Sequence, residues 1–266
     1  MDQDQGPIIY EVDSAEEAQQ GYFAPVQSAD TLFHFVEKLE YLLAIIEKSA
    51  LIPRYCNEDV DYLDIGMRKI AYPMVCFCDI NLHKMQDHIE SYGGYGIAFS
   101  KVWGIANEVQ PIQYINVNAP LRKDFAQAFS EAMNVERESS AYDFLLTQMY
   151  YFKAINGSME RNEKTICKNF TDECEWRYIP NVSLAGFPQA IMESELYSKN
   201  TWNMALESTE NCWLKFEVDD IKYIIIKTRG EFDALSHAIK QKNLDPGSID
   251  RLISKILIWS DLRRDL

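Results

Sequence analysis

Apolar positions along this chain fall into short continuous runs and helically spaced stripes that alternate. TLFHFV (31–36) is β-rich and predicts a strand. In KLEYLLAIIEKSAL, the residues Leu39, Leu42, Leu43 and Ile46 recur at helical spacing, and Pro53 ends the helix they predict. PMVCFCDI, opened by Pro73, reads as a buried strand. NLHKMQDHIESYG reads as a helix, with Asn81 as N-cap and Gly93 as its stop. YGIAFS (95–100) and PIQYINV (111–117) predict strands, with a short turn or helix between them.

Residues 120–155 carry a helical pattern, broken near Glu138 to Ser140. KTICKNF and ECEWRYI then read as strands, and 187–207 as helix. CWLKFEV and KYIIIKT flank Asp219-Asp220 like the arms of a hairpin. GEFDALSHAIKQKNL and SIDRLISKIL close the pattern as helices. These elements predict an α+β fold with a split, mixed or antiparallel sheet. The expected organisation is a polar arm over 1–29 and one domain over 30–266, with a helical insertion at about 120–155.

Composition narrows the class. The 266 residues are 47% hydrophobic, enough for a sizeable core. The 41 acidic and 26 basic residues leave a formal charge of −15, which repels nucleic acid and anionic membranes and suits a basic protein partner. MDQDQGPIIYEVD has no apolar run, so no signal peptide is expected, and no apolar stretch reaches the roughly 18 residues of a membrane span. Six scattered cysteines then fit free thiols in a reducing cytoplasm.

Candidate chemistry centres on FTDECEWRYIP (170–180). If this segment is extended, Glu173 and Glu175 share one face of a strand. Paired carboxylates can divide acid and base roles. The plainer alternative is an amphipathic edge strand with a solvated acidic side. Cys76, Cys78, His83 and His88 are metal-ligand types, but neither CxC nor a five-residue His spacing builds a tetrahedral site, so no metal is expected. Gly-rich phosphate loops and GxSxG elbows are lacking. His34, inside an apolar strand, is a core histidine or an imidazole that reaches a ligand's sugar hydroxyl.

The stretches MVCFCDINLHKMQDHIESYGGYGIAFSKVWGI and FTDECEWRYIP resemble the abortive phage resistance family AbiGi. That family is described as the antitoxin side of a bacterial phage-exclusion operon, and the resemblance covers roughly residues 30–230. It implies an anti-phage protein with a possible protein partner encoded in the same operon. A more distant similarity, to ADP-ribosyltransferases of the DarT type, implies a split sheet clamped around NAD. On that similarity His34 contacts the adenosine-side ribose, and Tyr95 and Ser100 lie near the nicotinamide. Glu175 holds the nicotinamide ribose, Glu173 positions the acceptor, and Arg177 joins the NAD-binding set or simply pairs with Glu175. The implied activity is NAD hydrolysis or ADP-ribose transfer to a protein or nucleic-acid target. A non-catalytic antitoxin that binds a toxin is the alternative.

Overall fold

A computed structural model of the chain describes residues 25–135, 140–161 and 164–263. Nearly all of the expected arm at 1–29, and the expected helix break at 138–139, lie outside the described residues. Nine strands form the main sheet. They are β1 (Thr31–Val36), β2 (Arg54–Asp59), β3 (Lys69–Cys78), β4 (Tyr95–Ser100), β5 (Gln110–Pro111), β6 (Glu175–Tyr178), β7 (Ile191–Met192), β8 (Ile221–Ile226) and β9 (Ile256–Ile258). The order across it is β9-β8-β4-β1-β3-β6-β5, with β2 and β7 also pairing β3. Only β8 and β9 run parallel among these pairs, so the sheet is mixed.

Nine helices accompany it among the described residues. They are α1 (Leu39–Lys48), α2 (Gln86–Tyr92), α3 (Lys101–Ala106), α4 (Pro120–Val135), α5 (Ser140–Tyr150), α6 (Lys199–Glu207), α7 (Phe232–Lys240), α8 (Pro246–Ser254) and α9 (Trp259–Leu262). Alternation along the strands assigns each face its cover. Leu32, Ile97, Phe99, Ile224 and Ile226 pack with Leu42 and Ile46 of α1, Leu235 and Ile239 of α7 and Leu252 of α8. Phe33, Ala98 and Ile225 pack on the other side with Ile89 of α2 and Trp259 of α9. A third cluster joins Tyr72 and Met74 of β3 to Phe125 and Phe129 of α4 and to Tyr142 and Met149 of α5.

The hinge of this architecture is β3. Its first half pairs with β2, from Asp59↔Lys69 to Arg54↔Met74, and with β7 at Ile70 and Ala71. Its second half pairs with β6, from Tyr178↔Val75 to Glu175↔Cys78, and touches β1 only at Phe33↔Cys78. Pro73 does not open this strand but lies inside it. It falls between Ala71, where β7 stops pairing, and Val75, where β6 begins, so that edge requires no amide hydrogen there.

Other expectations change as well. Leu214–Lys215 pairs with Ala50–Leu51, while β8 joins the main sheet beside β4, so these runs form no hairpin. The 187–207 stretch is β7, a 3-10 turn at Glu193–Ser198 and then α6. Asn81 makes no cap hydrogen bond; its amide donates to the Gln27 carbonyl instead, 3.3 Å away. Gly93 does stop α2, at φ 115° and against the Val36 backbone, where a Cβ would lie 2.3 Å from the carbonyl oxygen.

Candidate functional site

ECEWRYI is not one strand. Phe170–Glu173 is a 3-10 turn, Cys174 takes the left-handed conformation at φ 42°, and β6 starts only at Glu175. The two carboxylates therefore do not share a face through strand alternation. They converge all the same, because one cation sits between them. The Lys153 ammonium donates to Glu173 Oε2 at 2.7 Å and to Glu175 Oε2 at 2.8 Å. Lys153 is placed by a short strand, Phe152–Ala154, that runs parallel to Gln113–Ile115.

The cluster extends in both directions. Arg177, with none of its surface exposed, donates from Nε to Glu175 Oε1 at 2.7 Å and from Nη2 to Glu58 Oε2 at 2.9 Å. Its Nη1 donates to the Tyr72 hydroxyl at 2.5 Å and the Tyr150 carbonyl at 2.7 Å. On the other side, Lys168 lies 2.9 Å from Glu173 Oε1, which also accepts from the Tyr92 hydroxyl. The Tyr114 hydroxyl accepts from the Glu175 amide at 3.0 Å. Among the described residues, Glu58, Glu173 and Glu175 thus face Lys153, Lys168 and Arg177, three anions against three cations.

This balance sets the protonation states. Burial alone would raise the Glu175 carboxyl, but the Arg177 and Lys153 charges reverse that and hold it well below the usual carboxylate range. Glu173 is lowered too: burial opposes ionisation, and Lys153 with its hydrogen bonds wins. Burial would lower Lys153, yet Glu175, Glu58 and Glu173 keep it charged, well above its ordinary value. A general acid or base works best with a pKa near the working pH. Glu173 and Glu175 are driven away from it, and each is already committed to cations. The arrangement is suited to holding chain segments together.

The remaining expected site residues are dispersed. The His34 imidazole Nδ1 is 2.8 Å from the Cys76 carbonyl oxygen, in the gap where β1 and β3 cease to pair. Burial there lowers its pKa. His34 follows Phe33, which pairs with Cys78, and Cys78 in turn pairs with Glu175, so His34 and Glu175 project from opposite faces of the sheet. Its contact with the Phe77 ring, at 5.9 Å between centroids, belongs to the face away from Glu175. The register therefore does not bring His34 and Glu175, the residues expected at the two riboses of NAD, to one face of the sheet.

Tyr95 donates to Glu231 at 2.6 Å, and Ser100 caps α3 by accepting from the Trp103 amide at 3.1 Å. These two occupy opposite ends of β4. A concavity of about 400 Å³ is lined by Ser100, Trp103, Asn107, Phe216, Glu217 and Asp220 among others; of the six expected residues only Ser100 reaches it. The Cys76 and Cys78 thiols are pushed well up by burial, and no group of three or more metal-ligand side chains comes together among the described residues.

Sequence reasoning missed Lys153, Lys168, Glu58, Tyr72 and Tyr92. A signal for one of them was present. Lys153 is a lone cation in the apolar run YYFKAI, and a charge predicted to be buried requires a partner.

With this geometry in hand, the chain's relatives define its class as an abortive phage resistance protein built on an α+β fold. A family model described as abortive phage resistance protein AbiGi, antitoxin, matches residues 49–227. The abortive phage resistance protein AbiGi of Lactococcus lactis subsp. cremoris is 33% identical over 250 residues, covering 81% of this chain and 99% of that protein. The chain belongs to the AbiGi family. No solved structure matches it. No described helix is long and apolar enough to cross a membrane.

Proposed function

We propose that this chain is the antitoxin side of an abortive phage resistance system and acts by binding a protein toxin, without turning over NAD. One observation carries the reading. Glu173 and Glu175, the carboxylates best suited to chemistry by sequence, are each occupied by two cations in a buried, charge-balanced cluster. The family description as an antitoxin agrees with it, as does a net charge of −15, which complements a basic partner. The partner is proposed to be a growth-inhibitory protein encoded beside this gene, met in the cytoplasm.

The test has two arms. Co-expression with that neighbouring protein is expected to give a stable complex and to relieve its growth inhibition. Purified chain incubated with NAD is expected to release no nicotinamide. NAD consumption by the wild type that disappears in Glu175→Gln would overturn the reading in favour of the transferase-like one.

A further inference from the structure

The concavity between α3 and the segment 214–220 differs from the ion cluster in leaving polar groups without protein partners. Its volume of about 400 Å³ falls in the range of small-ligand sites, roughly 300–1,000 Å³. Its floor is Trp103, 7% exposed and stacked on Phe99 at 4.1 Å between ring centroids, beside Phe216. The Trp103 indole N–H meets no acceptor among the described residues, yet it is not sealed from solvent. A tryptophan this buried normally finds a partner for that hydrogen. Asn107 spends its Nδ2 on the Trp103 carbonyl at 2.9 Å, which leaves Oδ1 as an unused acceptor.

The rim is acidic. Glu217 and Asp220 are brought together by a reciprocal cap, each carboxylate accepting from the other's backbone amide, at 2.7 Å for the Glu217 amide and Asp220 Oδ2. Neither pairs with a cation among the described residues. The cations around them are committed elsewhere. Lys215 holds Glu210, Arg251 holds Asp219, and Lys255 donates to the Val218 carbonyl. Lys242 spends its hydrogens on the Ile46 and Glu47 carbonyls and the Ser49 hydroxyl. Charge that is balanced at contact distance around Glu173 and Glu175 is left open here.

We propose that this concavity is the socket for an arginine side chain of the protein partner. The inference rests on the antitoxin reading and names one contact by which that partner is held. A guanidinium is planar and carries five donors, so it can fork across Glu217 and Asp220 and reach Asn107 Oδ1, while its methylene stem covers Val102, Ala106 and Phe216. The Trp103 N–H is then met by a carbonyl oxygen of the partner's main chain. A bare metal ion would leave that N–H and the apolar wall unused, and an anion would be opposed by both carboxylates. The lining residues all lie inside residues 49–227, the part matched by the family.

The experiment has two arms, both on the full chain. In the first, N-acetyl-arginine amide is titrated into isotope-labelled protein, and the Trp103 indole N–H resonance, identified by its loss in Trp103→Phe, is followed. It is expected to move saturably, and to stay in place with the citrulline analogue, which keeps the shape without the charge. It is also expected to stay in place in Glu217→Gln/Asp220→Asn. Gln and Asn keep an oxygen for the reciprocal cap, so circular dichroism and Tm should be unchanged. In the second arm, the probe is the tagged growth-inhibitory protein encoded by the neighbouring gene. Glu217→Gln/Asp220→Asn is expected to weaken that complex by at least about tenfold. Equal movement with the citrulline analogue, or none with the arginine amide, would overturn the socket. So would a complex that the variant forms as tightly as the wild type, with the antitoxin reading left standing. A socket that takes the arginine amide in a chain that binds no neighbouring protein would overturn the antitoxin reading, and with it the partner as the source of the arginine.

Discussion

Arg177 is the residue on which the ion cluster turns. It is fully buried, and its guanidinium satisfies Glu175, Glu58, Tyr72 and the Tyr150 carbonyl together. Removing one member of a buried pair strands the others, at a cost of roughly 3–5 kcal/mol, whereas removing both partners costs far less. Arg177→Met is therefore expected to lower stability by about that amount in urea denaturation, and Glu175→Leu/Arg177→Met to recover a large part of it. Equal losses in the single and double variants would deny the coupling.

His88 provides a second test at this scale. Its ring packs on Phe35 and Tyr92, at 5.5 Å and 4.6 Å between centroids. Burial, aided by the charge of Lys168, lowers its pKa to about 4. The unfolded chain binds its proton near pH 6.5, so the unfolded state takes up more protons between these values. Stability is then expected to fall as pH drops from about 6.5 to 4, by on the order of 3 kcal/mol, and to fall less in His88→Phe. Urea titrations across that range read the difference. Of the cluster, Glu173, Glu175 and Arg177 were legible because they sit together in five letters of sequence. Glu58 was not, since nothing local announces a partner 119 residues away. For Lys153 the apolar run signals burial and the need of a partner but does not say which residue, 22 positions on, supplies it.

At the scale of elements, periodicity was informative wherever a segment's burial was decided by its own face. YGIAFS is β4 as expected, with five of its six residues buried, and the α1 stripe of Leu42 and Ile46 faces the core. It failed where partners are distant. CWLKFEV and KYIIIKT have matched apolar patterns, but the first finds Ala50–Leu51 and the second finds β4 and β9. Alternation specifies a face and leaves the partner open. Cys174 marks a different failure. A single left-handed residue of a type that rarely adopts that conformation ends one element and begins another, and the sequence gives no glycine to signal it. The α+β class and the mixed sheet survived these local errors because apolar runs and helical stripes specify the kinds of element present without specifying how each pair closes.

For the whole molecule the governing quantity is charge. Among its 41 acidic residues, Asp2, Asp4, Glu11, Asp13, Glu16 and Glu17 lie in the first 24 positions, a stretch with no Lys or Arg. Charges outside a desolvated contact act mainly on the rate of encounter, while the contact itself governs dissociation. Neutralising all six, as Asn and Gln, takes the formal charge from −15 to −9. Association with the basic partner is then expected to slow by about tenfold at low salt, with the dissociation rate unchanged. Near 0.5 M salt the two proteins should associate alike, because screening shrinks the Debye length to roughly 4 Å. Stopped-flow mixing separates the two rate constants. A change confined to dissociation would mean that these residues touch the partner directly, and long-range charge would then no longer account for the encounter.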